Sequence, residues 1–268
     1  MAVAETTAPT PVVPAPAVDA VPTVIADNVH IIYKVTAGTG GKGTAASAFR
    51  RIVKRQDRPT IREVHAVKGV SFTAHKGEAI GLIGRNGSGK STLLRAIAGL
   101  LPPASGAIYT GGQPSLLGVN AALMNDLTGE RNVVLGCLAM GMSPADIEER
   151  YDEIVEFSGI GDFIDLPMAT YSSGMQARLR FAIASAKAHD ILLVDEALAT
   201  GDAEFRVKSE QKIKDLRDQA GTVFLVSHSL DVVLDTCSRA IWLDKGAMIM
   251  DGDAQEVVDA YTKETSRK

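Results

Sequence analysis

The chain has 268 residues, 46% of them hydrophobic, a formal net charge of −4 and two cysteines, Cys137 and Cys237. That length suits one large domain or two small ones, and the apolar share suffices for a sizeable core. The negative charge argues against a nucleic-acid partner, the distant cysteines lack a metal-ligand spacing and read as thiols in a reducing compartment, and no stretch nears the roughly 20 apolar residues that cross a bilayer.

The first residues, "MAVAETTAPTPVVPAPAVDAVPTV", have no positive n-region, and prolines break every apolar run. They read as an extended Pro/Ala-rich tail over 1–26 rather than a secretory signal, with the folded domain over 27–268. "NVHIIYKV" (28–35) alternates as a strand. Small residues and glycines make 36–64 a loop, and its stretch 38–63 is basic: Arg50, Arg51, Lys54, Arg55, Arg58 and Arg62 are opposed only by Asp57 and Glu63. Phe49, Ile52 and Val53 give it an apolar edge, so it reads either as a solvated loop or as a basic amphipathic helix for anionic lipid or a membrane partner.

"AVKGVSFTA" sets Val70, Phe72 and Ala74 on one face and Ser71 and Thr73 on the other, the pattern of a half-exposed antiparallel strand. "EAIGLIG" reads as a buried central strand, and "STLLRAIAGLL" as a helix with Leu93, Leu94, Ile97 and Leu101 on one side, stopped by Gly99, Pro102 and Pro103. The region of about 120–175 is helical. "SPADIEERYDEIVEFSGI" opens with Ser143 as cap, Pro144 at the first helical position and Asp146 three residues after the cap, with Ile147, Tyr151, Ile154 and Val155 as its apolar stripe. In "YSSGMQARLR", Ser173 is the expected cap of a helix running from Met175 to Lys187, and such a helix start is also a ready anion site. Three apolar runs, "ILLVDE", "TVFLVSH" and "AIWLD", alternate with helices and imply a mainly parallel sheet.

The strongest local signal is "GRNGSGKST", Gly84 to Thr92, between an apolar strand and a helix. In such a phosphate loop Gly84, Gly87 and Gly89 let backbone N–H groups converge on phosphate oxygens, with Arg85, Asn86 and Ser88 between them. Lys90 reaches the β/γ end of a nucleotide, the Ser91 hydroxyl ligates Mg²⁺, and Thr92 completes the motif. "ILLVDE" carries Asp195 and Glu196 to the carboxyl end of a strand, where open parallel sheets place their active sites. Asp195 is expected to hold Mg²⁺ through water and Glu196 to polarise the attacking water. His228 ends another strand in reach of the γ-phosphate.

A phosphate loop, "YSSGM", "VDE" and "VSH", in that order, resemble the ATPase subunits of ABC transporters over nearly all of 27–262. The resemblance implies an α/β P-loop NTPase fold with a mainly parallel core sheet, an antiparallel β-subdomain and an inserted helical subdomain, and it implies ATP and Mg²⁺ as cofactors. It makes Ser172, Ser173 and Gly174 a signature that binds the γ-phosphate held by a second copy in a head-to-tail dimer. Tyr171, Ser173 and Met175 depart from the commonest form of that signature, Leu-Ser-Gly-Gly-Gln. "ATGD" stands at the dimer-contact loop, with Asp202 at its acidic position.

"GRNGSGKST", "LTGERN", "YSSGM", "DEALATGDAEF" and "VSHSLDVV" together look like the branch that exports lipid-linked polysaccharide, such as O-antigen, teichoic acid and cell-wall galactan. "QPSLLGVNAALMNDLTGERN" is most similar to galactan exporters. The implied partners are an integral-membrane permease in two copies, facing the insertion 38–63, and a lipid-linked polysaccharide; the implied place is the cytoplasmic face of the membrane. The usual glutamine linking the nucleotide to the helical subdomain is missing near Val119, where Asn120 is the nearest amide and Gln113 lies further off. Tyr33 and His65 both stand as adenine-stacking candidates. The chain ends at Lys268 soon after "VVDAYTKET", so no carbohydrate-binding domain is expected after it. Against a soluble ABC-type ATPase of DNA repair or translation stand the single phosphate loop and the lack of heptads. Against a small-molecule kinase stands "YSSGM", and against a module without hydrolysis stand Lys90, Glu196 and His228.

Overall fold

The computed structural model describes residues 21–37, 60–117, 123–187, 189–195, 203–219, 221–227 and 229–266. Two sheets and a helical region make up the fold. The larger sheet has six strands in the order β5 (Pro114–Leu116), β6 (Ile191–Asp195), β7 (Thr222–Val226), β3 (Ala79–Ile83), β8 (Arg239–Asp244) and β9 (Ala247–Asp253). Pairing is parallel from β5 to β8, and only β9 runs antiparallel. Strands β6 and β7 are buried at every position, as expected of a sheet covered on both faces.

Alternation still sorts their side chains into two cores. Ile80, Leu82, Leu193, Phe224 and Val226 join Leu93, Leu94 and Ile97 of helix α1 (Lys90–Ile97) and the apolar face of the smaller sheet. Leu192, Val194, Val223 and Leu225 join the opposite core, which packs helices α5 (Ala203–Gln219), α6 (Leu230–Thr236) and α7 (Ala254–Thr265). A third core holds together α2 (Gly129–Ala139), α3 (Pro144–Ser158) and α4 (Ser173–Ala184), with short 3-10 turns over Gly161–Asp165 and Met168–Thr170. Helix α3 starts as read, with Ser143 and Asp146 in a reciprocal capping box and Pro144 in the first turn.

The smaller sheet is antiparallel, ordered β2 (Thr60–His75), β1 (Pro22–Ala37) and β4 (Ser105–Thr110). Val70, Phe72 and Ala74 are buried as their alternation requires. Two boundaries differ from the sequence reading. Strand β1 begins at Pro22, not after residue 26, because Val24 and Ala26 alternate inward and pair with both β2 and β4. Strand β2 begins at Thr60, so Arg62 and Glu63 belong to a strand rather than to the basic loop. Residues 1–20 of the tail and Arg50, Arg51, Lys54, Arg55 and Arg58 lie outside the described residues.

Candidate functional site

The loop between β3 and α1 is built on backbone conformations that favour glycine: φ is 143° at Gly84, 79° at Gly87 and 107° at Gly89. A Cβ at Gly84 would collide with the Leu243 carbonyl oxygen, and one at Gly89 would lie 2.5 Å from the Ala66 carbonyl oxygen. Gly89 also starts helix α1 with no side-chain cap and no acidic residue in the first turn. The first N–H groups of the helix therefore point into the loop without an intrahelical acceptor, at the positive end of the helix dipole. Lys90 is buried, and its ammonium donates to the carbonyl oxygens of Gly84 at 2.6 Å and Arg85 at 3.1 Å. The Ser88 hydroxyl is 2% exposed and has no hydrogen-bond partner. An uncapped helix start, a buried ammonium and an orphaned hydroxyl around one concave loop suit phosphate oxygens.

The loop is fixed from outside. Gly246, in the turn between β8 and β9, donates its N–H to Ser88 O at 2.9 Å and accepts the Lys68 N–H at 2.8 Å. A cleft of about 550 Å³ borders Arg85, Asn86 and Gly87 on the side of α7 and is walled by Trp242, Lys245 and Tyr261. Ser91 and Thr92 are half-buried in the first turn of α1.

Asp195 ends β6, 9% exposed. Its register partner is Val226, whose partner on the other side is Leu82, two residues before the loop. Two strand spacings, roughly 10 Å, thus separate Asp195 from the strand that delivers the loop. Glu196, Asp202 and His228 lie outside the described residues, as do Val119 and Asn120. Of the two adenine candidates, Tyr33 reaches toward α1, its hydroxyl 3.5 Å from Thr92 Oγ1, whereas the His65 ring lies against His30.

The signature segment corrects one residue. Ser172, not Ser173, caps α4: it has φ −63° and ψ 159°, and its hydroxyl accepts the Met175 N–H at 3.2 Å. The helix begins at Ser173 rather than Met175 and ends at Ala184. Both serines satisfy the compositional rule, and backbone conformation decides between them. The cap occupies the third N–H of the helix and leaves those of Ser173 and Gly174 without intrahelical acceptors. Tyr171 is buried, and its hydroxyl donates to Phe163 O at 2.6 Å. That hydroxyl occupies the space a Cβ at Gly129 would take. Burial raises the Tyr171 phenol above its ordinary pKa, so it stays protonated as a donor.

The sequence reading assigned no role to Asn132 within "LTGERN". Asn132 is fully buried; its amide nitrogen donates to the carbonyls of Met124, Leu127 and Thr128, and its oxygen accepts the Met124 N–H. Met168 N–H in turn donates to Leu127 O, and Ala169 N–H to Asn125 O. "LTGERN" therefore organises the strand of chain that leads into the signature helix. An isolated Asn in an apolar helix is the only trace it leaves in sequence.

Comparison with known proteins agrees with this arrangement. The ABC transporter family profile matches residues 67–199. The chain is 43% identical over 196 residues to the teichoic acids export ATP-binding protein TagH of Enterococcus faecalis, covering 73% of this chain and 44% of that protein. It is 42% identical over 214 residues to the O-antigen export system ATP-binding protein RfbB of Myxococcus xanthus, covering 80% and 49%. Against RfbB of Klebsiella pneumoniae it is 40% identical over 201 residues, covering 75% and 82%. It thus spans about half the length of the first two relatives and most of the third. In fold it is similar to the ATP-binding subunit of an ABC transporter, with a TM-score of 0.67 at 21% identity over 90% of this chain and 93% of that one. A dimeric ATP-binding cassette bound to ADP and phosphate gives 0.64 at 23% identity, over 86% and 98%. The chain belongs to the ABC transporter family, among its ATP-binding proteins.

Proposed function

We propose that this chain is the ATP-hydrolysing subunit of an exporter that moves a lipid-linked polysaccharide across the cytoplasmic membrane. The polymer is of the teichoic acid, O-antigen or cell-wall galactan class. The observation that carries the reading is the uncapped start of α1, with Lys90 and the orphaned Ser88 hydroxyl around it, in a chain about 40% identical to export ATP-binding proteins. In this reading Lys90 leaves the carbonyls of Gly84 and Arg85 for phosphate oxygens, and the first N–H groups of α1 donate to the same anion. Tyr33, beside Thr92, stacks on the base.

Hard oxygen ligands suit Mg²⁺, and Ser91 and Asp195 are the residues to hold it. Bound with ATP, that ion would supply positive charge against the phosphate groups. Glu196 orients and polarises the attacking water, which contributes about 10²- to 10⁴-fold in rate, and His228 donates to the terminal phosphate. The N–H groups of Ser173 and Gly174 reach the terminal phosphate held by a second copy, with Asp202 at the contact between copies. Closure of the two copies follows ATP binding because this link exists only while the terminal phosphate is in place. The helical region of about 120–175 passes the movement to a separate membrane permease; no helix among the described residues is long and apolar enough to cross a membrane. The protein then sits peripherally on the cytoplasmic face.

Two measurements test the reading. Lys90→Ala should lower ATP turnover at least 100-fold, and equal turnover removes the phosphate loop from the chemistry. Depleting the protein from its native cell should leave a polyprenyl-diphosphate polysaccharide inside. Intact turnover without accumulation keeps the ATPase and rejects the polysaccharide.

A further inference from the structure

Away from the phosphate loop, the solvent face of the β1–β2 ribbon carries a built pair of histidines. His30 lies between the buried Val29 and Ile31, so its ring turns to the opposite face, where it meets the exposed His65 of β2. His30 Nδ1 and His65 Nε2 are 3.0 Å apart. His30 is held in that pose from behind. Its Nε2 lies 3.2 Å from Asn28 Oδ1, and Asn28 donates its own N–H to Ser71 Oγ at 2.8 Å.

The backbone is bent to allow this. Asn28 takes a left-handed φ of 46°, uncommon outside glycine, and the β1–β2 register slips on both sides of Val29. Gly69, with φ 66°, faces the pair; a Cβ there would stand 3.1 Å from Asn28 Oδ1 and 3.3 Å from His30 Nε2. Strained backbone that serves one side-chain pose is a reason to look for a role at that pose.

The hydrogen bonds fix the tautomers. Asn28 Oδ1 is an acceptor, so His30 carries its proton on Nε2 and presents a lone pair from Nδ1 toward His65. Moving the His65 proton from Nε2 to Nδ1, which faces water, turns a second lone pair into the same gap. We propose that His30 and His65 chelate a late first-row divalent metal ion of the Cu²⁺, Ni²⁺ or Zn²⁺ class. Two imidazole nitrogens about 2.1 Å from one ion are about 3.0 Å apart at a right-angled bite, the spacing observed; the rings now meet head-on with centroids 5.2 Å apart, so the exposed His65 ring must swing aside to aim at the ion while His30 keeps its pose. Asn28 is the outer partner that fixes ligand orientation, as metal-binding histidines require. Among the described residues no group of three or more His, Cys, Asp or Glu side chains forms a metal site, so water fills the remaining positions and the site stays open. The ion would pin the two strands where the ribbon leaves the sheet.

The test is calorimetric titration of the full, untagged, nucleotide-free chain with Ni²⁺ at about pH 7.5. One ion should bind per chain, and His30→Gln and His65→Gln should each weaken binding at least tenfold. Asn28→Ala should weaken it by about tenfold through the outer shell. His75→Gln, at a histidine beside the Glu78 carboxylate, should leave it unchanged. Cu²⁺ should bind more tightly than Ni²⁺, and millimolar Mg²⁺ should not compete. Absence of saturable Ni²⁺ binding by about 1 mM, or binding retained in both histidine variants, overturns the proposal. A readout without substitution is the paramagnetic broadening of histidine ring signals by Ni²⁺: His30 and His65 should broaden before His75 and His189, and the reverse order overturns the site.

Discussion

Asn132 spends its whole side chain on the backbone of residues 124–128, and not all of those bonds carry equal weight. Leu127 O also accepts from Met168 N–H, and Thr128 O from Asn132 N–H, so both keep a partner if the side chain is removed. Met124 O likewise accepts from Leu127 N–H, so only the Met124 N–H loses its partner. One orphaned backbone N–H, with the amide's other bonds lost, costs about 1–3 kcal/mol. Asn132→Ala should therefore lower unfolding free energy by about that amount in urea titration, against less than about 0.5 kcal/mol for the exposed neighbour Arg131→Ala, which keeps the backbone N–H donated to the Thr128 cap. An Asn132→Ala chain as stable as the wild type would mean that the loop before the signature helix is held by something else. The thiol of Cys137, one helix turn further on, shows the apolar side of the same helix: burial pushes its pKa up to about 11, so it packs as a small apolar group and not as a nucleophile.

Helix α4 is defined at both ends by side chains, and the two ends respond differently to solution conditions. At its start Ser172 is a neutral cap. At its end the Ala184 carbonyl accepts from His189 Nε2 at 2.8 Å. Burial lowers the pKa of His189, and this outweighs the opposing effect of the Ala184 carbonyl. The folded chain keeps this imidazole neutral, while the unfolded chain titrates it near the ordinary 6.5. The folded state thus binds fewer protons, and the stabilisation is complete above pH 6.5 and is lost as pH falls from there toward the lowered folded value. Melting temperature should drop between about pH 7.5 and 5.5 more steeply for wild type than for His189→Gln, which keeps a donor without the titration. Parallel slopes would show that His189 gains its proton as freely in the fold as outside it. Elements of this kind were legible in unequal measure. β3, β6 and β7 declare themselves as continuous apolar runs, and α3 by Ser143, Pro144 and Asp146. The phosphate loop is readable because glycine spacing and Lys90 are local chemistry. β4, half exposed along "SGAIYT", the three-residue β5 and the glycine- and aspartate-bearing β9 carry no such pattern; they are strands because neighbouring strands offer them partners. The Ser172 cap and the bonds of Asn132 depend on backbone angles and on carbonyls brought near by the fold, which composition does not encode.

At the scale of the molecule, polar contacts join the two sheets at both ends of the strands, and only one end touches the phosphate loop. Near the loop, Gly246 links β2 to Ser88 through backbone bonds. At the other end the Thr222 hydroxyl of β7 meets Thr23 Oγ1 of β1 at 2.6 Å and donates to His75 O of β2 at 3.1 Å, and beside it the joint is ionic. Arg239 of β8 makes a bidentate pair with Asp251 of β9, both bonds 2.7 Å long, and its remaining nitrogen reaches Thr73 O of β2 at 2.8 Å and Glu78 at 3.1 Å. Burial disfavours the charge, but Asp251 and Glu78 outweigh it and hold the guanidinium above its ordinary pKa. Side-chain exposure is 6% for Arg239 and 0% for Asp251, so neither charge has water to fall back on. Removing one partner from such a pair costs about 3–5 kcal/mol, whereas replacing both by apolar side chains of similar size is often neutral. Asp251→Ala should therefore destabilise the chain by about 3–5 kcal/mol in chemical denaturation, and Arg239→Met with Asp251→Leu should recover most of that loss. Because the double replacement also removes the bonds to Thr73 and Glu78, recovery should stop short of the wild type. Full recovery would mean that the contact between the sheets rests on the apolar core, the Thr222 hydroxyl and the Gly246 link. Since the phosphate loop is anchored at the opposite end, ATP affinity of the folded double variant should match that of the wild type, and a tenfold weakening would show that the ionic joint also sets the position of β3.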